Sequence, residues 1–204
     1  MTPKRIMELA EQATRPDEYV PDRLRVFCGG NLDDTNSSWA NYYGFLYLLA
    51  AELRPNLMVE LGTELGRAAF AMKLGCPDAE MLTFELGTEP PDTYMNYLAS
   101  VKVRVHMGTD SLDWGLTRWG RRDLFGKIDL ILFDTTHDYD QVMREWYLFR
   151  PLLAPGAVAV FDDYTHEGPT KLMPEIGFPK VIFDHNNPTK LHGHNGLAVT
   201  LLPT

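Results

Sequence analysis

Residues 127–163 read KIDLILFDTTHDYDQVMREWYLFRPLLAPGAVAVFDD, and this stretch decides the fold. Lys127–Asp134 is a short apolar run that ends in a carboxylate, the pattern of a strand buried on both faces. Tyr139, Val142, Trp146 and Phe149 then recur at helical spacing. A Pro155-Gly156 turn opens a second apolar run, 156–163, which ends in two carboxylates. Strand, helix, strand is the unit of a parallel sheet covered by helices. Between the first strand and the helix, Asp134, His137, Asp138 and Asp140 crowd together. Like charges this close repel, and a metal ion, a cationic ligand or proton chemistry would relieve them. Asp138 and Asp140 also have a plainer role, because acids in a first helical turn cap free N–H groups and favour the helix dipole.

The same alternation extends outward. NLMVEL (56–61) reads as a strand, followed by a glycine-containing turn and the helix RAAFAMKLG, with Gly75 as its stop. Residues 81–86, 101–107, 180–184 and 197–202 read as further strands. Only a loop joins the last two, so they are expected to pair antiparallel. The fold class is α/β: a doubly wound, mostly parallel seven-stranded sheet ending in an antiparallel β-hairpin. Upstream, residues 3–13 have helical spacing, and residues 14–37, rich in Pro, Gly, Asp and Asn, read as a long loop. A second helix starts after Ser37-Ser38 and runs to about Leu53. Its stripe of Trp39, Tyr43, Leu46, Ala50 and Leu53 reads as core packing.

A chain of 204 residues with 45% hydrophobic composition supports one globular domain, 1–204. The formal net charge of −9 argues against a nucleic-acid partner, which needs basic surface, and the GRR at Gly120 is too short to supply it. Two cysteines, Cys28 and Cys76, suggest a reducing compartment rather than a disulfide framework. The start of the chain turns polar too early for a signal peptide. The run GFLYLLAA is far short of the ~20 residues that span a bilayer. A cytoplasmic protein without membrane contact is expected, with self-association into a homo-oligomer left open.

Parallel sheets bind ligands beyond the carboxyl ends of their strands. Those ends read Glu60-Leu61-Gly62, Glu85, Gly108-Thr109-Asp110, Asp134 and Asp162-Asp163. The first turn, ELGTELGRAA, has Glu64 at the middle glycine of a dinucleotide fingerprint, and no G-K-[ST] follows it. Pyrophosphate would face Glu60 and Glu64 without a lysine, which disfavours a nicotinamide enzyme. A ligand with a positive centre and no phosphate, such as S-adenosylmethionine, fits better. Glycines let the backbone approach it. Glu85 lies at the distance from which an acid reaches ribose hydroxyls, and Asp110 could accept a hydrogen bond from the adenine amino group. Each residue also has a bland reading. Gly62 and Gly66 would serve a tight turn, Glu85 a solvated strand end, Asp110 a helix N-cap, Asp162-Asp163 a loop cap and His137 a helix entry. His185, His192 and His194 are too irregularly spaced for a zinc site and read as a polar hairpin tip.

VELGTELGRAAFA (59–71), GTDS (108–111) and the segment from Ile128 to Tyr164 resemble class I S-adenosylmethionine-dependent methyltransferases. They look most like the branch of catechol-type, cephalosporin-type and macrolide-sugar O-methyltransferases. The resemblance covers residues 56–164 and, more loosely, the final hairpin. It implies a Rossmann-like methyltransferase fold, with Glu60, Gly62, Thr63 and Gly66 around the methionine part of the cofactor. It further implies Glu85 at the ribose, Asp110 after Gly108-Thr109 at the adenine, Asp134, Asp162 and Asp163 at a divalent metal, and His137 as general base. Three such carboxylates would suit Mg²⁺, which could hold and acidify a substrate hydroxyl. Glu64, Thr135 and Thr136 depart from the family pattern. Residues 1–55 match nothing in it and are expected to form a substrate lid. The EPPD at 89–92 resembles a signature of amino-group methyltransferases but follows the wrong strand. The expected function is methyl transfer to a hydroxyl of a small molecule. The alternatives are a metal-independent methyltransferase and a non-catalytic cofactor-binding module.

Overall fold

The computed structural model describes residues 1–29, 38–87, 91–118, 124–184 and 195–204. The GRR at Gly120, His185, His192, His194 and the start of EPPD lie outside them, as does the side chain of Trp39. The strands are β1 (Leu57–Leu61), β2 (Glu80–Glu85), β3 (Arg104–Met107), β4 (Ile128–Phe133), β5 (Leu153–Asp162), β6 (Lys180–Phe183) and β7 (Leu197–Leu201). They form one seven-stranded sheet in the order β3-β2-β1-β4-β5-β7-β6. β1 to β5 are mutually parallel. β7 lies between β5 and β6 and runs antiparallel to both, which is the hairpin arrangement expected of the closing strands. The order reverses between β1 and β4, so the crevice for a ligand opens at their carboxyl ends.

Side-chain alternation sends each strand's apolar residues to two cores. Met58, Leu130, Leu132, Val158, Val160 and Val199 face one side. There α1 (Pro3–Ala13), α4 (Ser38–Leu53) and α5 (Arg67–Gly75) bury Ile6, Leu9, Phe45, Leu46, Leu49 and Phe70. Val59, Leu61, Ile131, Phe133, Ala159 and Phe161 face the other side. There α7 (Ser111–Arg118), α8 (Tyr139–Phe149) and α9 (Glu167–Leu172) supply Trp114, Val142, Trp146, Phe149 and Leu172.

The segment read as a loop from 14 to 37 contains two helices, α2 (Pro16–Tyr19) and α3 (Asp22–Gly29). Proline and aspartate begin these helices, and burial of Val20, Leu24 and Phe27 holds them in place. Phe27 packs within 4.2 Å of Phe70 and 4.7 Å of Tyr97, ring centroid to centroid. Tertiary packing has overridden a turn-rich composition. The strand expected at 101–107 begins only at Arg104, because Lys102 takes a left-handed turn with φ 62°. β5 starts at Leu153, three residues before its expected start at Gly156, and carries Gly156, φ 77°, inside it as an irregularity. α6 (Asp92–Ser100), α7 and α9 add three helices to those expected. Among the described residues no helix is long and apolar enough to cross a membrane.

Candidate functional site

A cavity of about 570 Å³ opens at the carboxyl ends of the parallel strands, within the ~300–1,000 Å³ usual for small-molecule sites. Its floor is the turn after β1. Gly62 has φ 90°, and a Cβ there would lie 1.9 Å from the Asp134 carbonyl oxygen. The Gly62 N–H donates to the Phe84 carbonyl (3.0 Å), and the Asp134 N–H donates to the Leu61 carbonyl (2.9 Å). This one glycine thus lets the ends of β1, β2 and β4 close together. Gly66, φ 70°, allows Leu98 of α6 to approach, since a Cβ would sit 2.5 Å from Leu98 Cδ1. Both glycines therefore serve the turn, and Gly62 lines the cavity as well. Glu64 takes φ 46°, a left-handed conformation that favours glycine.

Glu85 joins the two turns. Its Oε2 accepts the N–H groups of Thr63 (3.2 Å) and Glu64 (2.8 Å), and its Oε1 accepts that of Gly87 (2.7 Å). Its carboxylate also borders the cavity. Thr109 and Asp110 follow on the same rim, with Gly108 behind them at φ 58°. Asp110 Oδ1 accepts the Leu112 N–H at 2.7 Å, so this residue caps α7 while bordering the cavity.

Glu60 and Thr63 lie beneath the floor, 1% and 3% exposed. The Thr83 hydroxyl donates to Glu60 and shares a 2.6 Å hydrogen bond with the Thr63 hydroxyl. Burial pushes the Glu60 carboxyl up to about 8, against the hydrogen bonds from Thr83 and the Ala69 backbone and with the help of the Glu85 charge. The native state holds this proton where the unfolded chain releases it. Its stabilisation is fully present below about 4.5 and is lost as pH rises through about 8. Each unit of such a shift corresponds to about 1.4 kcal/mol. The thermal stability of the wild type should therefore fall from pH 5 to 9, and Glu60→Gln should reduce that slope. Equal slopes in the two proteins would show that Glu60 is ionised in the fold.

The acidic end gathers Asp134, His137, Asp162 and Asp163. His137 Nε2 lies 3.7 Å from Asp134 Oδ1 and 3.5 Å from Asp163 Oδ2. His166 Nε2 lies 3.7 Å from the same Asp163 oxygen. Asp134 and Asp162 stand within hydrogen-bonding reach of each other, which two carboxyls manage by sharing a proton. Burial, then the charge of Asp162, drives Asp134 well above the usual carboxylate range. Burial and the charge of Asp163 raise Asp162 to about 7. His137 is pushed down, by burial more than its acidic neighbours raise it, and so is neutral near pH 7. Both His137 (φ 58°) and Asp163 (φ 49°) are left-handed, a conformation that costs of order 1–3 kcal/mol and gathers at functional sites. Asp138 is the N-cap of α8 and accepts the Gln141 N–H at 3.0 Å. Among the described residues no three His, Cys, Asp or Glu side chains are arranged to hold a metal ion as they stand.

Two cavity residues come from α4: Tyr43, which belongs to the stripe expected to be core, and its neighbour Tyr42, which does not. Tyr42 and Tyr43 of α4, each 5% exposed, pack inward and line the cavity together. The Tyr42 hydroxyl is buried without a hydrogen bond of normal geometry. Burial and the charges of Asp162 and Asp134 raise its pKa, which keeps it a donor. Helical spacing cannot tell a core face from a cavity wall, because both are buried. Gln141 and Ser111 also line the cavity; the quoted GTDS contains the second, and no motif marks the first.

A family model described as a methyltransferase domain matches residues 59–164, half of the chain. No curated protein sequence matches it. Among solved structures, the O-methyltransferase TomG from Streptomyces achromogenes, involved in tomaymycin synthesis and in complex with SAM, is 18% identical with a TM-score of 0.64. That match covers 97% of this chain and 90% of the other. An O-methyltransferase from Bacillus cereus in complex with SAH is 16% identical with a TM-score of 0.61, over 97% and 90%. A methyltransferase from Geobacter sulfurreducens is 19% identical with a TM-score of 0.60, over 79% and 78%. At these identities the likeness is one of fold, and it includes residues outside 59–164.

Proposed function

The chain belongs to this methyltransferase family, and from that premise we propose that it transfers the methyl group of S-adenosylmethionine to a hydroxyl of a small molecule, with a divalent cation at the acidic end of the cavity. One observation carries the reading. A single cavity joins Glu85 and Asp110 at one end to Asp134, His137, Asp162 and Asp163 at the other. Glu85 would bind ribose hydroxyls and Asp110 the adenine amino group. Gly62 would let the backbone approach the methionine part, with Glu60, Thr63 and Gly66 supporting the turn from below and Gly108 and Thr109 shaping the rim. S-adenosylmethionine supplies an activated methyl group on a sulfonium. His137 would take the proton of the acceptor hydroxyl on Nε2 while that oxygen bonds to the methyl carbon. The carbon–sulfur bond would break with its electrons left on sulfur, which would leave S-adenosylhomocysteine. Tyr42 and Tyr43 support a role for residues 1–55 as the wall or lid over the acceptor in one domain, 1–204.

The donor set fits a hard cation in chemistry: three carboxylates, of which Asp134 and Asp162 are costly as anions without a compensating charge. Asp134, Asp162 and Asp163 would hold it, and it would lower the pKa of an acceptor hydroxyl. Mg²⁺ or Mn²⁺ should raise the melting temperature by mass action, and Asp163→Asn should blunt the shift. If EDTA and added metals change neither stability nor methylation, the carboxyls only bind substrate. The hydrogen-bonding reach between Asp134 and Asp162 is what favours that second reading.

Calorimetry tests the cofactor. S-adenosylhomocysteine should bind, and Glu85→Ala should weaken it at least ~10-fold, since hydrogen bonds to a charged group are worth about 1.5–3 kcal/mol. That substitution also strands three loop N–H groups. Glu85→Gln, which keeps an acceptor oxygen, should lose less. Tight binding of NAD with none of S-adenosylhomocysteine would end the reading.

A further inference from the structure

Glu145 stands on the buried face of α8, fully shielded from solvent. A carboxylate in such a place is costly unless its oxygens are satisfied. They are. Oε1 accepts the Ser111 hydroxyl at 2.6 Å and the Gln141 Nε2 at 2.8 Å, and Oε2 accepts the Thr135 hydroxyl at 2.9 Å. Ser111, Thr135 and Gln141 all line the cavity. Ser111 follows Asp110 at the end of β3, and Thr135 follows Asp134 at the end of β4. One buried group thus ties the two strand ends together from behind.

The chemistry of the third partner is directional. A carboxylate oxygen facing an amide accepts, so it selects the amide nitrogen. The Gln141 backbone is held as well, since its N–H caps onto Asp138 at 3.0 Å. With its nitrogen committed to Glu145, the amide has its carbonyl oxygen left for the cavity. Serine and threonine hydroxyls, also donating to Glu145, present oxygen lone pairs beside it. This rim therefore offers acceptors and calls for a ligand with N–H donors.

We propose that Glu145 is a positioning residue for the nucleobase of the methyl donor: it holds the Gln141 amide by its nitrogen, so that the Gln141 carbonyl oxygen meets an N–H of the adenine amino group. The proposal rests on the reading of the cavity as a S-adenosylmethionine site. An amino group has two N–H donors, so Asp110 and Gln141 can each take one. A base with a 6-oxo group would place an acceptor against these acceptors and be rejected.

The test is the ratio of dissociation constants for S-adenosylhomocysteine and its 6-oxo (inosine) analogue, measured by calorimetry on the full chain. The wild type should prefer the adenosine compound at least ~10-fold, the scale of one good hydrogen bond exchanged for a repulsive contact. Gln141→Leu, at a half-buried position, should bring the ratio down several-fold toward one. Glu145→Gln, whose amide can face Gln141 in either sense, should do the same. A loss of general rigidity would weaken both compounds alike and leave the ratio unchanged. An unchanged ratio in Gln141→Leu, with the adenosine compound still bound, overturns the proposal even if Glu145→Gln fails to fold. If the wild type binds neither compound, the methyl-donor reading falls, and this inference falls with it.

Discussion

His137→Ala should bind S-adenosylmethionine nearly as well as the wild type and turn over about 10²–10⁴-fold more slowly, the usual contribution of a positioned base. The imidazole is held neutral by burial, so it is ready to accept a proton at pH 7. It lies 3.7 Å and 3.5 Å from oxygens of Asp134 and Asp163, groups that would help to stabilise the imidazolium once formed. Its left-handed backbone, φ 58°, complicates a single variant, because alanine also resists that conformation. His137→Asn separates the two effects: asparagine tolerates positive φ but cannot take the proton. Both variants should lose turnover alike, with the thermal stability of the asparagine form close to wild type. Near-normal turnover of His137→Asn at saturating substrate would leave His137 as a turn residue only.

Gly62→Ala should be the most damaging small substitution in the chain. The new methyl would lie 1.9 Å from a backbone oxygen of Asp134, which cannot rotate aside, and φ 90° is unsuited to any residue with a Cβ. The ends of β1 and β4 would have to separate. A loss of ~3 kcal/mol or more is expected, seen as a lower urea midpoint, together with weakened cofactor binding. Gly66→Ala, at φ 70°, meets the Leu98 side chain, with Cδ1 at 2.5 Å and Cγ at 3.0 Å, rather than a backbone atom, and should cost less. A Gly66→Ala loss equal to or larger than that of Gly62→Ala would mean that the strand ends are looser than drawn.

What could be read from the sequence followed the strength of local signals. The apolar runs ending at Leu61, Glu85, Phe133 and Asp162 are legible as strands because each lies inside the sheet with both faces covered, which leaves a short continuous apolar run. The carboxylates at their ends could be named for the same reason. Helices α2 and α3 were hidden by a composition of proline, glycine and aspartate, since the packing of Phe27 on Phe70 is a contact across the fold. The cavity side of Tyr43 is not legible, because burial against the core and burial against a cavity leave the same periodicity. Glu145 is not legible in the sequence, because a lone acid on an apolar helix face carries no motif; only its three partners give it a meaning. The alternation of VKVRVHM looked like a full strand, and the left-handed turn at Lys102 has no cue in the residue itself.

The placement of Tyr42 and Tyr43 has a consequence for how such a protein can change over generations. They belong to α4, upstream of the span 59–164 that the family model matches, while the carboxylates and His137 lie within it. On the proposed reading, the residues that choose the acceptor and those that perform the transfer are thus written in different parts of the chain. On that reading substitutions in α4 would explore new acceptors while His137 stays in place, and Tyr43 is the freer of the two, because Tyr42 feels the charges of Asp162 and Asp134. Conversely, a directed library confined to the cavity face of α4 should retarget the enzyme while the donor side keeps its affinity. The two tyrosines are also core residues, 5% exposed, so this freedom is bounded by volume. Exchanges that keep a large apolar ring at each position are the ones the fold will tolerate.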